Sequence, residues 1–177
     1  MRLLRALPLV LLVTAAAPLR AQEAPPGFRD EFLGQFDVSM RKFIALAGAM
    51  PEDRFAWSPG EGVRPVARVY AHVARYNYYY PATALGAPAP GGEDADAMEE
   101  RITSKADVVA FLTRSREHVR GVVRGMTDQQ LATTTRLYGR DVPQWAVLLQ
   151  LLAHMNEHLG QSIAYARMNG VVPPWSQ

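Results

Sequence analysis

From Phe28 onward, large apolar residues recur at steps of three and four. Phe28, Phe32, Phe36, Met40, Phe43, Ile44 and Ala47 share one face of a 3.6-residue period, and no proline intervenes before Pro51. The spacing predicts a first helix over 28–50, stopped at Met50-Pro51. The connector 51–62 carries Phe55 and Trp57, which are expected to tuck onto the end of a helical core. A second period begins near Val63 to Pro65, since proline suits a first helical turn, and ends at Tyr80 before Pro81. Its inward stripe is Val66, Val69, Tyr70, Val73, Tyr76 and Asn77, with His72 at the edge.

The stretch 82–100 is rich in alanine, glycine, proline and acid, and reads as an exposed loop. Ser104 or Thr103 can cap a third helix, with Asp107 three residues after Ser104 in a weak form of the capping box. Val108, Phe111, Leu112, Ser115, Val119, Val122 and Val123 give its apolar face up to Gly125. Thr127 opens a short turn, and 133–143 reads as an irregular crossing whose threonines allow at most a short strand. A fourth helix follows Pro143, runs unbroken from Trp145 to Met168 and meets a C-cap at Asn169-Gly170, after which Val171 and Trp175 are expected to lie over an apolar surface. Four amphipathic helices without a strand series predict an all-α four-helix bundle over 28–177.

The first 21 residues do not belong to that bundle. Arg2 and Arg5 precede an apolar run from Leu7 to Ala17, and small residues lead to Ala21, which is the pattern of a secretory signal peptide. An apolar core of about a dozen residues is shorter than the ~20 that a membrane span needs, so no stable span is expected after cleavage. Cleavage after Ala21 leaves a short polar, proline-containing leader at 22–27 and places the protein in the periplasm or outside the cell. It also removes Arg2, Arg5 and Arg20, leaving 16 Lys and Arg against 17 Asp and Glu. A net charge of about −1 without a basic stripe or a recognition motif gives no support for nucleic-acid binding. Neither a Walker A loop nor a GxGxxG turn is present, and the absence of cysteine excludes thiolate ligands, disulfides and a cysteine nucleophile.

What remains for chemistry is histidine. His154 and His158 stand at i and i+4 on the fourth helix and project from one face, close enough to share an ion. Such a pair also occurs as ordinary surface or core histidines, and with Met155 after His154 it is not the HExxH of zinc proteases. A third imidazole from a neighbouring helix would complete a facial nitrogen site. His72, among Val69, Val73 and Tyr76, is better placed for this than His118, which stands among Arg114, Arg116, Glu117 and Arg120 and reads as a solvated residue. Gly160, inside the helix, suggests the close approach of another segment. Gln161 is a candidate to orient a ligand imidazole, and Tyr76, one turn beyond His72, is a candidate to line the mouth of a pocket or simply to pack.

The sequence His154-Met-Asn-Glu-His158-Leu-Gly160-Gln161, with His72 in Val-Tyr-Ala-His-Val, resembles the DinB-like, YfiT-related superfamily of metal-dependent proteins over residues 28–170. The resemblance implies a four-helix bundle, a metal triad at His72, His154 and His158, one divalent ion that is commonly nickel or zinc, and frequent homodimers. It also implies, for some members, transfer chemistry on low-molecular-weight thiols or isomerase-like activity. A signal peptide departs from the family pattern and sets this chain apart from cytosolic bacillithiol or mycothiol chemistry. Nitrogen ligands suit zinc, nickel, copper or iron better than magnesium or calcium. The expected function is an exported metal-dependent hydrolase or transferase acting on a small molecule. The competing class is a noncatalytic protein in which the ion fastens two helices or serves a binding module.

Overall fold

The structure is a computed structural model that describes residues 22–92 and 94–176; the expected signal peptide over 1–21 lies outside the described residues. Four long helices form the bundle: α1 (Phe28–Ala49), α2 (Val66–Ala84), α4 (Lys105–Gly125) and α6 (Gln144–Met168). Two short helices, α3 (Ala95–Arg101) and α5 (Asp128–Ala132), and an antiparallel hairpin, β1 (Thr134–Leu137) with β2 (Arg140–Pro143), join them. Both α1 and α2 lie against α4 and α6, so the two pairs alternate around one core. The phenylalanine stripe of α1 fills that core. Phe36, Met40 and Phe43 are fully buried, Phe32 stacks on Phe36 at 5.7 Å, and Phe43 meets Tyr70 of α2 edge-on at 6.1 Å.

Side-chain caps start α3, α4 and α5, whereas α1, α2 and α6 begin without one. Ser104 accepts a bond from the backbone N–H of Asp107 at the start of α4, and Thr127 with Gln130 forms a reciprocal capping box on α5. Where the connector meets α2, Val66 N–H donates to the carbonyl of Trp57 and Ala67 N–H to that of Phe55, which fixes the entry of the helix. Phe55 is buried as expected, and Trp57 packs edge-on against Tyr165. Near the leader, the Trp145 indole donates to the carbonyl of Gln22.

Three expectations are corrected by the backbone. Helix α2 continues through Pro81 to Ala84: the proline removes one donor, but Pro81 and Ala84 are buried, and Leu85 and Ala87 both donate to the Pro81 carbonyl. The stretch 82–100 is not all loop, since Asp94 accepts from Ala97 N–H and starts α3. The crossing at 133–143 is a paired hairpin, turned by Tyr138 and Gly139, both at positive φ as a two-residue turn of this kind requires.

Gly160 is corrected too. It is exposed, and a methyl group built on it would meet nothing within 4 Å, so no segment among the described residues approaches it. Gly170, by contrast, closes α6 at φ 73°, with Val171 N–H reaching back to the Ala166 carbonyl and Gly170 N–H to that of Arg167. These two glycines therefore respond in opposite ways to alanine. Gly160→Ala raises stability by up to ~1 kcal/mol through helix propensity, and Gly170→Ala lowers it by a similar ~1 kcal/mol through a strained left-handed position. Thermal unfolding of the two variants checks this; equal signs would contradict the assigned backbone roles.

Candidate metal centre

On α2 the residues Val69, Tyr70 and Val73 point into the core, and His72 follows them into the interface with α6, where it is 8% exposed. On α6 the buried positions Leu151, Met155 and Leu159 hold the helix down, so that His154 and His158, on the edge of that stripe, turn towards α2. The three rings converge. Centroid distances are 4.6 Å for His154–His158, 5.0 Å for His72–His158 and 5.2 Å for His72–His154, and one nitrogen from each lies within 4.8 Å of the others. Tyr76 walls the group, its ring 4.2 Å from His154 and 4.7 Å from His72.

Two of the imidazoles are held from behind. His72 Nδ1 lies 3.0 Å from a carboxylate oxygen of Glu99, and an ionised carboxylate only accepts, so Nδ1 carries a proton and donates it, and Nε2 is the nitrogen that faces the group. His158 Nδ1 lies 2.8 Å from Gln161 Oε1. The other end of the amide fixes its orientation: Gln161 Nε2 donates to the Tyr165 hydroxyl at 3.0 Å, and that hydroxyl donates to the Arg64 carbonyl at 3.3 Å. His158, Gln161 and Tyr165 come after His154 at helical spacing along one stripe of α6, so a single helix supplies two imidazoles and the support for one of them.

Glu99 is the residue that sequence reasoning missed. It belongs to α3, within the stretch expected to be loop, and is 7% exposed. Burial works to raise its carboxyl, but the bond from His72, joined by the charges of Arg75 and Arg68, holds it below the usual carboxylate range. The visible signal was Asp94 as an N-cap ahead of a helix-forming run, Ala95 to Arg101. Glu99→Gln keeps the shape and loses the charge, and is expected to weaken transition-metal affinity by roughly tenfold or more. A metal titration of that variant, with circular dichroism as the folding control, measures it; unchanged affinity would mean that Glu99 only balances Arg75 and Arg68.

His154 and His158 resist charging. Burial, followed by the charges of His158 and His72 and of Arg64 and Arg75, brings His154 down to about 3. His158 is also lowered, chiefly by burial, with Gln161 working in the opposite direction. His118 stands apart from the group and is not a freely solvated residue: it is half-buried against Tyr78, rings 4.9 Å apart, and burial lowers its pKa. Asn156, on the other side of α6, accepts a bond from Ser39, and Glu157 is exposed.

The group fits a divalent transition ion. Three imidazole nitrogens face one centre, two of the rings have their second nitrogen committed to an acceptor, and the buried Nδ1 of His154 has no partner among the described residues. Beside His72 an open cleft of about 470 Å³ leads to solvent, lined by Arg64, Arg75, Tyr76, Asp96 and Glu99 among others.

Residues 35–166 match the sequence model of the DinB superfamily. No curated protein matches the chain. Among solved structures, a DinB-like protein from Bacillus cereus superposes with a TM-score of 0.71 at 18% identity, over 82% of this chain and 95% of the other. A DinB-like protein from Bacillus subtilis gives a TM-score of 0.54 at 16% identity, over 80% and 94%. At these identities the two structures show a shared fold.

Proposed function

This chain belongs to the DinB superfamily, and from that membership and the histidine geometry we propose that it is an exported metal-dependent enzyme, a hydrolase or transferase of a small molecule. The observation that carries the reading is the convergence of His72, His154 and His158 from two helices onto one centre, beside a cleft open to solvent. One divalent ion, zinc or nickel, is held by the three imidazoles. When bound, it supplies Lewis acidity that polarises a substrate or activates a nucleophile.

The protein's own residues do the rest. Glu99 and Gln161 fix the tautomers and directions of His72 and His158, Tyr76 covers one side of the group against water, and the cleft beside His72 admits substrate. A purely fastening role for the ion is less well supported, because α2 and α6 are already joined through buried apolar side chains. Export rests on the segment 1–21, with a mature chain starting at Gln22. Among the described residues no helix is long and apolar enough to cross a membrane.

The test is to load the metal-free mature protein with zinc or nickel and assay ester and amide hydrolysis and thiol conjugation. Activity is expected to appear with the ion and to vanish in the variant carrying His154→Ala and His158→Ala. Activity that survives in that variant, or none across the three reaction classes in the loaded parent, counts against the enzyme reading. N-terminal sequencing of protein recovered from the periplasm or medium tests export, and retention of residues 1–21 in the cytoplasm overturns it.

A further inference from the structure

The cleft beside His72 is lined by charged residues that are almost all spoken for. Arg75 is paired with Asp96 and lies 3.6 Å from Glu99, with its guanidinium over the ring of Tyr76. Arg68, behind the cleft, is paired with Glu100 and donates to the Glu99 carbonyl at 2.8 Å. Arg64 is different. Its side chain lines the cleft and is exposed, yet among the described residues its guanidinium makes no ion pair and no side-chain hydrogen bond.

Its backbone, on the other hand, is tied to the histidine group. The Arg64 carbonyl accepts from Tyr165, which accepts from Gln161, which accepts from His158. Pro65 comes directly after it and restricts the backbone of Arg64 to extended conformations. A guanidinium without an ion-pair partner among the described residues thus stands on an anchored backbone at the entrance to three imidazoles, with the charge of Glu100 nearby. Adding a divalent ion there increases the positive charge facing Arg64, an arrangement that an anion between the two would relieve.

On the basis of the metal-centre reading, we propose that Arg64 receives the carboxylate of a small organic-acid substrate, holding it so that the rest of the molecule reaches the histidine group. The planar fork of arginine matches a carboxylate with two parallel bonds. Asp96, Glu99 and Glu100 around the cleft disfavour a doubly charged phosphate relative to a singly charged carboxylate. The ring of Tyr76 offers an apolar wall to the body of the acid.

The test uses the mature protein loaded with one equivalent of nickel, benzoate as probe and inorganic phosphate as comparator, with Arg64→Met beside the parent. Nickel content and melting temperature of both proteins are measured first. Failure of the parent to hold nickel would count against the metal centre itself, and with it against this proposal; the remaining outcomes bear on Arg64 alone. Benzoate is expected to bind the loaded parent and to bind Arg64→Met at least about tenfold more weakly, as expected for loss of a charge-assisted pair, with nickel content unchanged. Arg64→Lys should recover part of the affinity. Benzoate binding equally to parent and Arg64→Met, absence of benzoate binding to the loaded parent, or tighter binding of phosphate than benzoate would each overturn the assignment.

Discussion

His72→Ala is expected to lower affinity for zinc or nickel at least about a hundredfold, whereas His118→Ala leaves it unchanged. A four-ligand protein zinc site is worth about 10–16 kcal/mol, so that one ligand carries roughly 3 kcal/mol, and each 1.4 kcal/mol is tenfold. His72 is the contribution of α2 to a group otherwise held by α6. Its loss also removes the hydrogen-bond partner of the buried Glu99 carboxylate, which keeps Arg75 at 3.6 Å and the charge of Arg68, so the metal-free variant should also melt below the parent. His118 lies against Tyr78, away from the group, and offers the matched control. Titration calorimetry on both variants at neutral pH measures the contrast. Equal effects would mean that α2 does not face the ion.

The second large effect is of pH on stability, with and without metal. His154 is depressed to about 3 by burial and by neighbouring positive charge, and His158 is lowered for similar reasons. An unfolded histidine titrates near ~6.5. Above that value both states are neutral and the folded protein has its full stability. As the pH falls below it, the unfolded chain takes up protons that the folded chain refuses, and stability declines towards the folded values.

Metal sharpens this dependence. An ion at about 100 times its Kd adds about 2.7 kcal/mol to the folded state, but only while the ligands are neutral. Because the folded pKa values of His154 and His158 are already low, the ion should still raise the melting temperature just below neutrality, and lose that effect in stronger acid as protons displace it. Calorimetric melting across a pH series, with and without nickel, gives the profile. A nickel-dependent increment that grows as the pH falls would contradict the imidazole assignment.

Much of the fold was legible from residue spacing. The step of three and four from Phe28 to Ala47 yields α1 because a buried stripe dominates the local choice, and Ser104 with Asp107 marks the start of α4 because the side chain meets the backbone N–H there. Asn169-Gly170 ends α6 as read, since the left-handed position is made for glycine. The all-α DinB-like fold results from these elements and is shared with the two bacterial structures.

The features that spacing does not reveal depend on tertiary contact. Pro81 looks like a stop, and only its burial shows why α2 runs past it. Two four-residue strands have too few apolar positions for their alternation to be seen, and their pairing is set by the turn at Tyr138-Gly139. Glu99 was hidden by the composition around it: alanine, glycine and acid read as loop, while its burial comes from the partnership with His72, 27 positions earlier. Gly160 invited a packing explanation that the exposed face of α6 does not support.

Whether His72, His154 and His158 together hold one ion is read from the metal content of the mature protein after loading with zinc or nickel and mild dialysis. One ion per chain is expected in the parent and none retained when His154 and His158 are both alanine, with that variant still helical by circular dichroism. A parent that takes up neither metal, or a double variant that retains as much as the parent, would contradict the three-histidine site.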